Sequence, residues 1–157
     1  MNDSFCSKIV ATLIRQASFL LLLGLLISST GCVNRATATL TPGADLTKLK
    51  TFYLIPGADD KENYLLIKSN LEKRGFGVTT GPEKPLPYKE DSIVHYLDKW
   101  MWDITPYMLE LTITFRDPNT NSPLAMGNSY HTSLSRLSDV EMVEEVLTNM
   151  FNAKAVK

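Results

Sequence analysis

The chain has 157 residues, of which 44% are hydrophobic and 21% charged, and its formal net charge is −1 at pH 7. This length fits one ordinary domain, and the composition is that of a folded chain rather than a disordered one. The near-zero net charge argues against nucleic-acid binding through a basic surface, so we expect no nucleic-acid partner. Two cysteines, Cys6 and Cys32, are too few for a disulfide scaffold.

Residues 1–31 show the ordered features of an export signal. Lys8 and Arg15 supply positive charge, residues 19–27 are apolar apart from one glycine, and small residues follow. Nine helical residues span about 14 Å, about half of a bilayer core, which favours a cleaved signal over a spanning helix. The alternative is one anchor helix over residues 9–27, in which the charge of Arg15 would cost about 2.5–3.5 kcal/mol on insertion.

The segment Ser29-Thr30-Gly31-Cys32 resembles the lipobox of bacterial lipoproteins, with Ser29 where lipoboxes usually carry leucine. The resemblance implies cleavage before Cys32, a lipid thioether on its thiol and a fatty acid such as palmitate on its amine, and so a stable membrane anchor. Val33 follows instead of aspartate, which implies the periplasmic face of the outer membrane in a bacterium with two membranes. Ordinary signal cleavage with an unmodified Cys32 is the alternative.

The organisation expected from these features has three parts. Residues 1–31 are a signal peptide that is removed, residues 32–45 are the lipidated N-terminus and a tether, and residues 46–157 are a single α+β domain. The tether is predicted because residues 33–45 are mostly small and polar and contain a proline-glycine pair.

The first half of the domain follows a strand–helix–strand order. Residues 50–55 are mostly β-branched and aromatic, which predicts a strand. Residues 61–74 place apolar side chains at helical spacing, and Gly75 suits the end of that helix. Residues 76–79 predict a short returning strand, and three prolines within residues 81–87 predict a surface loop.

The second half predicts three antiparallel strands and a helix. Residues 91–97 and 124–135 are predicted strands, the latter with Gly127 as a possible bulge. Residues 107–116 alternate, with apolar side chains at the odd positions Tyr107, Leu109, Leu111, Ile113 and Phe115.

The last helix is predicted by a capping box. Ser138 is its N-cap and Glu141 stands at the third helical position, ahead of an apolar stripe. The pattern as a whole indicates an α+β fold, with a small antiparallel-rich sheet and two helices packed on one face.

No constellation of an enzyme is assembled in the sequence. His95 and His131 fall on predicted strands and could form a metal site with a nearby acid, but no short ligand spacing supports one. Ser129 lacks the glycines of a nucleophile elbow. Asp98 and Asp103 could act as a glycosidase pair, although such spacings are common. We therefore expect no enzyme, no metal and no cofactor.

Residues 91–103 form the most unusual segment, because they contain both tryptophans. In an extended chain Trp100 and Trp102 point to one face together with Asp98. One interpretation places both indoles in the core. The other makes them an exposed anchor for a partner, with Asp98 and Asp103 accepting hydrogen bonds from indole or backbone N–H groups.

This tryptophan segment, the strand 50–55 and the helix ending in Arg74-Gly75-Phe76 are similar to small envelope lipoproteins. Among these are the curli-secretion and Pel-exopolysaccharide lipoproteins, which form outer-membrane assemblies. The resemblance implies a non-enzymatic assembly role with an envelope protein or with further copies of the chain, through the tryptophan surface or a sheet edge. A module that binds a small envelope ligand or glycan is the alternative, and a hydrolase using the two histidines is the third hypothesis.

Overall fold

The computed structural model describes residues 15–16, 34–57 and 62–153. The predicted signal peptide, apart from residues 15–16, and Cys32 lie outside these ranges. The elements, in chain order, are β1 (Arg35–Leu40), β2 (Thr51–Leu54), α1 (Asn63–Lys73), β3 (Gly77–Thr80), β4 (Ser92–Asp103), β5 (Thr105–Arg116), β6 (Pro123–Tyr130) and α2 (Asp139–Asn152). They belong to one compact unit, Val33–Lys157. Within the described ranges, neither helix has the length and hydropathy needed to cross a bilayer.

The strands form one six-stranded mixed sheet in the order β1-β6-β5-β4-β2-β3. The β1/β6, β6/β5 and β5/β4 pairs are antiparallel, which agrees with the prediction for that half. Strand β2, however, runs parallel to both β3 and β4. A helical connection returns the chain to the same end of the sheet, and so a parallel neighbour follows from the β2-α1-β3 order. The α+β class is confirmed, and the mainly antiparallel sheet is corrected to a mixed one.

Strand β1 lies within the segment predicted as a tether. Arg35–Leu40 pairs with β6 in an unbroken antiparallel register, from Arg35 opposite Tyr130 to Leu40 opposite Ala125. Leu40 is buried, and Ala38 packs against the core. Alternating threonine and alanine suit a half-covered edge strand, although the small side chains make the segment resemble a linker in sequence.

Helix α2 packs closely on β6. Ser138 and Glu141 form the predicted capping box. The helix buries Met142, Val143, Val146, Leu147 and Met150. A Cβ atom on Gly127 would lie 2.6 Å from the Met150 side chain and 2.7 Å from that of Val146. Gly127 pairs in regular register on both sides, so its prediction as a bulge is wrong, and it is small because α2 lies against it.

Helix α1 contacts α2 through polar side chains. Arg74 donates to the Glu144 carboxylate at 2.7 Å and to the Thr148 hydroxyl at 2.7 Å, and Asn70 also donates to Glu144. These hydrogen bonds lower the pKa of Glu144, with the Asn70 amide as the largest cause. Placement of both helices on one face of the sheet stays a prediction.

A bulge in β5 changes which side chains at the start of this strand point to the core. Lys99 lies opposite Glu110 but Trp100 lies opposite Met108, so Leu109 is the extra residue. An extra residue reverses the face of every side chain on one side of it. Met108 is consequently 1% exposed and belongs to the core, whereas Leu109 and Tyr107 are only half-buried.

The second face of the sheet is partly covered by the proline loop. The Tyr53 hydroxyl donates to the Pro82 carbonyl at 3.0 Å, and the Tyr53 and Tyr88 rings lie 4.9 Å apart. The Lys84 ammonium sits 4.2 Å from the centre of the Tyr53 ring. The loop thus buries the β2 end of this face and leaves the part formed by β4, β5 and β6 open.

Candidate interaction surface

The β4–β5 hairpin extends beyond its neighbours in the sheet. Strand β6 pairs with β5 only over residues 110–116, and β2 pairs with only the first residues of β4. Residues 100–108 are therefore a two-stranded ribbon, which we call the hairpin tip. Residues 92–99 and 110–116 are the hairpin root. The strand predicted to end at Leu97 continues to Asp103, so both tryptophans lie on β4.

The turn of the tip is a single residue held by an arginine. Asp103 pairs with Thr105, and Ile104 between them has a φ of 62°. A β-branched residue rarely adopts this left-handed conformation, which needs support from its surroundings. Arg136 supplies that support by donating to the Asp103 carbonyl at 2.9 Å and to the Thr105 hydroxyl at 2.8 Å. Its guanidinium also lies 4.2 Å from the centre of the Tyr107 ring.

The two tryptophans have different surroundings. Trp100 is half-buried and packs against the core, and its indole N–H donates to Asp98 Oδ2 at 2.7 Å. The same oxygen accepts a 2.6 Å hydrogen bond from Asn63, the buried first residue of α1. Trp102 is 74% exposed. Asp98 thus links Trp100 to α1, whereas Trp102 remains exposed on the surface.

The tip presents apolar side chains on both of its faces. Met101 is 49% exposed, and Ile104, at the turn, is 90% exposed. Together with Trp102 they give the tip three exposed large apolar side chains within four residues. Burial of 100 Å² of this surface would contribute about 2.5 kcal/mol. Sequence analysis missed Met101, Ile104 and Arg136, and the one available signal was an isoleucine where a tight turn normally has glycine or asparagine.

Charges at the base of the tip neutralise each other. Glu110 accepts a 2.7 Å hydrogen bond from Lys99, and Arg35 of β1 lies 3.5 Å away. The bond from Lys99, followed by one from Asn128, holds the pKa of Glu110 below its ordinary value. Asp103 forms an ion pair with Arg136 at 3.3 Å. The tip therefore carries compensated charge around an apolar surface.

The fold keeps the two histidines apart but brings Ser129 and His131 to the same carboxylate, that of Glu145. His95 lies opposite Thr114, whereas the His131 ring and the Ser129 hydroxyl contact Glu145 of α2. The two histidines thus face different sides of the sheet and cannot share a metal ion. Asp98 and Asp103 are five residues apart on one strand, or about 17 Å. That distance exceeds the roughly 5–9.5 Å of a glycosidase pair.

The serine hypothesis fails on burial. Ser129 is fully buried, and its hydroxyl donates to the Glu145 carboxylate. A serine nucleophile needs a neighbouring base and access for a substrate. The hydroxyl of Ser129 instead ties β6 to α2.

The fold is similar to that of a PelC dodecamer from Paraburkholderia phytofirmans. The TM-score is 0.58 at 15% sequence identity, over 77% of this chain and all of the other. A leucine-to-methionine variant of that dodecamer gives 0.55 at 14% identity, over 74% and 97% of the two chains. A minor lipoprotein from Acinetobacter baumannii also matches, with a TM-score of 0.33 at 14% identity, over 64% and 91%. The chain matches no protein-family model and no curated protein. The predicted resemblance to Pel-type lipoproteins is confirmed at the level of the fold.

Proposed function

We propose that the chain is a lipid-anchored cell-envelope protein that assembles with copies of itself and has no catalytic role. The observation that carries the proposal is the shared fold with PelC, which forms a dodecamer and is matched over its whole length. Symmetric homo-oligomers are also the commonest assemblies of soluble proteins. The burial of Ser129, which closes it to a substrate, and the placement of His95 and His131 on different sides of the sheet support the non-enzymatic part.

The anchor proposed is a lipid on Cys32 at the periplasmic face of the outer membrane. Its support is the order of basic residues, apolar run, small residues and cysteine in the sequence. Two or more acyl chains give stable attachment, and so no spanning helix would be required.

The contact surface proposed for a neighbouring copy is the hairpin tip. Trp102 and Ile104 are large apolar side chains that the described domain does not cover, and tryptophan is enriched among residues that dominate binding energy. The turn is already fixed by Arg136, so little conformational entropy would be lost when the tip docks.

The assembly is tested by measuring the mass of the full chain, extracted from membranes in detergent, by native mass spectrometry. We expect a discrete oligomer for the natural protein and smaller species for Trp102→Ala. Leu86→Ala is the matched control, because Leu86 is an exposed apolar residue of the proline loop, whose Tyr88 N–H donates to the Pro118 carbonyl beyond the end of β5 that is opposite the tip. A monomer at every concentration of the natural protein would overturn the proposal. An oligomer that Trp102→Ala leaves unchanged would indicate that the copies contact each other through a sheet edge instead of the tip.

The anchor is tested separately by Cys32→Ser. We expect the variant to lose the mass of the acyl groups and to leave the membrane fraction, while crosslinking in intact cells reports whether copies still meet. Retention of the variant in the membrane fraction at unchanged mass would contradict lipidation. Crosslinks of fixed stoichiometry to a different envelope protein, without self-crosslinks, would replace the homo-oligomer by a partner complex.

A further inference from the structure

A small cleft lies on the open face of the sheet, next to the proline loop. Its volume is about 190 Å³, and it is lined by His95, Tyr96, Leu97, Thr112, Thr114 and Arg116. Val94 and Phe115 pair with each other and point to the core, so their neighbours His95 and Thr114 point to the opposite face. The volume is below that of sites for drug-sized molecules and suits a ligand of a few heavy atoms or one ring.

Three polar groups of this cleft have no hydrogen-bond partner among the described residues. Thr114 is 7% exposed, yet neither its hydroxyl nor the His95 ring forms a hydrogen bond with a described residue. Arg116 Nε is buried and also has no acceptor there. Buried polar groups are nearly always hydrogen-bonded in folded proteins, because each unsatisfied one costs about 1–3 kcal/mol. Arg116 Nε is such a buried group, and the accessible Thr114 hydroxyl and His95 ring beside it can bond a polar ligand.

The charge of the cleft is positive. Arg116 Nη1 donates to the Asn121 carbonyl at 2.8 Å, which orients the guanidinium and leaves Nη2 without a described acceptor, while Nε is covered by the protein. No carboxylate of the described residues forms an ion pair with Arg116. A guanidinium with a donor left in this way attracts the oxygens of a carboxylate or phosphate.

His95 contributes hydrogen bonding without a second positive charge. Burial is the main cause that lowers its pKa, the charge of Arg116 lowers it further, and Glu83 of the proline loop opposes them. The neutral ring has one donor and one acceptor nitrogen, which suits a ligand that carries hydroxyls beside its charged group. Thr112 also lies on this face, and Leu97, 74% exposed, provides an apolar border.

We propose that this open-face cleft binds the oxyanion group of a small molecule, a carboxylate or a phosphate, with Arg116 as the charged partner. His95 and Thr114 then bond the polar groups beside that oxyanion. The inference does not rest on self-assembly, since it concerns a face of the single domain.

The test is isothermal titration calorimetry of the full chain in detergent with three probes. D-glucuronate carries a carboxylate, inorganic phosphate carries the other oxyanion, and glucose is the neutral ring. We expect saturable binding of glucuronate, phosphate or both, and none of glucose, and the stronger of the two anions identifies the source of the oxyanion. Failure of both anions, or equal binding of glucose and glucuronate, would overturn the proposal.

Two variants locate the binding in the cleft. Arg116→Gln is expected to weaken binding about tenfold or more, because a hydrogen bond to a charged group is lost. Thr114→Val keeps the shape of the side chain and is expected to weaken binding about two- to tenfold without unfolding. Arg35→Gln is the matched control, since it removes an exposed arginine of β1 outside the cleft. Equal affinity in the Arg116 and Arg35 variants, or unchanged affinity in Thr114→Val, would place the binding elsewhere.

Discussion

At its root, the β4–β5 hairpin has β6 along one side and β2 at its start, whereas no strand of the described residues pairs with either side of the tip. Phe115 at the root is fully buried between the rings of Phe52 and Phe151. Trp102 and Ile104 at the tip, although equally apolar, face solvent. Strand pairing is the same in both regions, so pairing alone does not bury a side chain. Met108 and Trp100, at the base of the tip, still pack against the core, whereas Trp102 and Ile104 lie beyond its reach and stay exposed.

The largest expected difference between root and tip is in stability. Phe115→Ala should lower the free energy of unfolding by about 3–5 kcal/mol, because it removes a buried ring and leaves a cavity. Trp102→Ala should change it by less than about 0.5 kcal/mol. Urea denaturation followed by circular dichroism, on dilute protein in detergent, measures both. Similar losses of unfolding free energy in the two variants would mean that Trp102 is packed against the protein. The root and the tip would then not differ in this respect.

A finer contrast separates the two tryptophans. Trp100→Phe should cost about 1 kcal/mol, because the indole hydrogen bond to Asp98 is lost, whereas Trp102→Phe loses no described hydrogen bond. Each variant retains one tryptophan, so iodide quenching reports the other position directly. Strong quenching is expected in Trp100→Phe, where Trp102 remains, and weak quenching in Trp102→Phe. Stronger quenching in Trp102→Phe than in Trp100→Phe would mean that Trp100 is the exposed tryptophan and Trp102 the covered one.

The smallest expected effect is a pH dependence at the start of the root. Asp91 accepts hydrogen bonds from the Lys50 N–H at 2.8 Å and from the Thr51 N–H and hydroxyl, with the Lys50 bond as the main cause of its lowered pKa. Because the folded-state pKa is depressed, this stabilisation is present above the unfolded value, about 3.9, and is lost as the pH falls through the folded value.

Thermal unfolding of Asp91→Asn against the natural protein measures that dependence. The melting temperatures should differ most near pH 7 and converge below about pH 3.9. Glu90→Gln, a half-buried neighbour without a described hydrogen bond, should show no such convergence. A difference that stays constant with pH would show that the Asp91 charge is not involved.

The sequence predicted the elements that are determined locally. The capping box at Ser138 and Glu141 and the apolar stripe of α2 depend on residues a few positions apart, and both are present. The bulge at Leu109 was not predictable, because alternation in one strand carries no information about its partner's register. Gly127 was misassigned for a related reason, since the side chains that require its size belong to a helix 19 residues or more along the chain.

The candidate site was predictable only in part. The two tryptophans and Asp98 were selected by composition and spacing, but which indole is covered depends on where β6 and β2 stop. Arg136 lies more than 30 residues from the turn that it holds, so no local pattern connects it to Ile104. The cleft at Arg116 is formed by residues of two strands next to the proline loop, so no single stretch of sequence reveals it.

The early start of β1 limits how far the domain could move if Cys32 carries a lipid. Only Val33 and Asn34 separate that cysteine from Arg35, and Asn34 already accepts a hydrogen bond from Ser135. Three residues reach at most about 10 Å, so the lipid would hold the sheet edge close to the headgroups of the membrane. Copies held at one height diffuse in two dimensions, which raises their effective concentration for each other. The short connection to the lipid would thus favour assembly before any contact between copies forms.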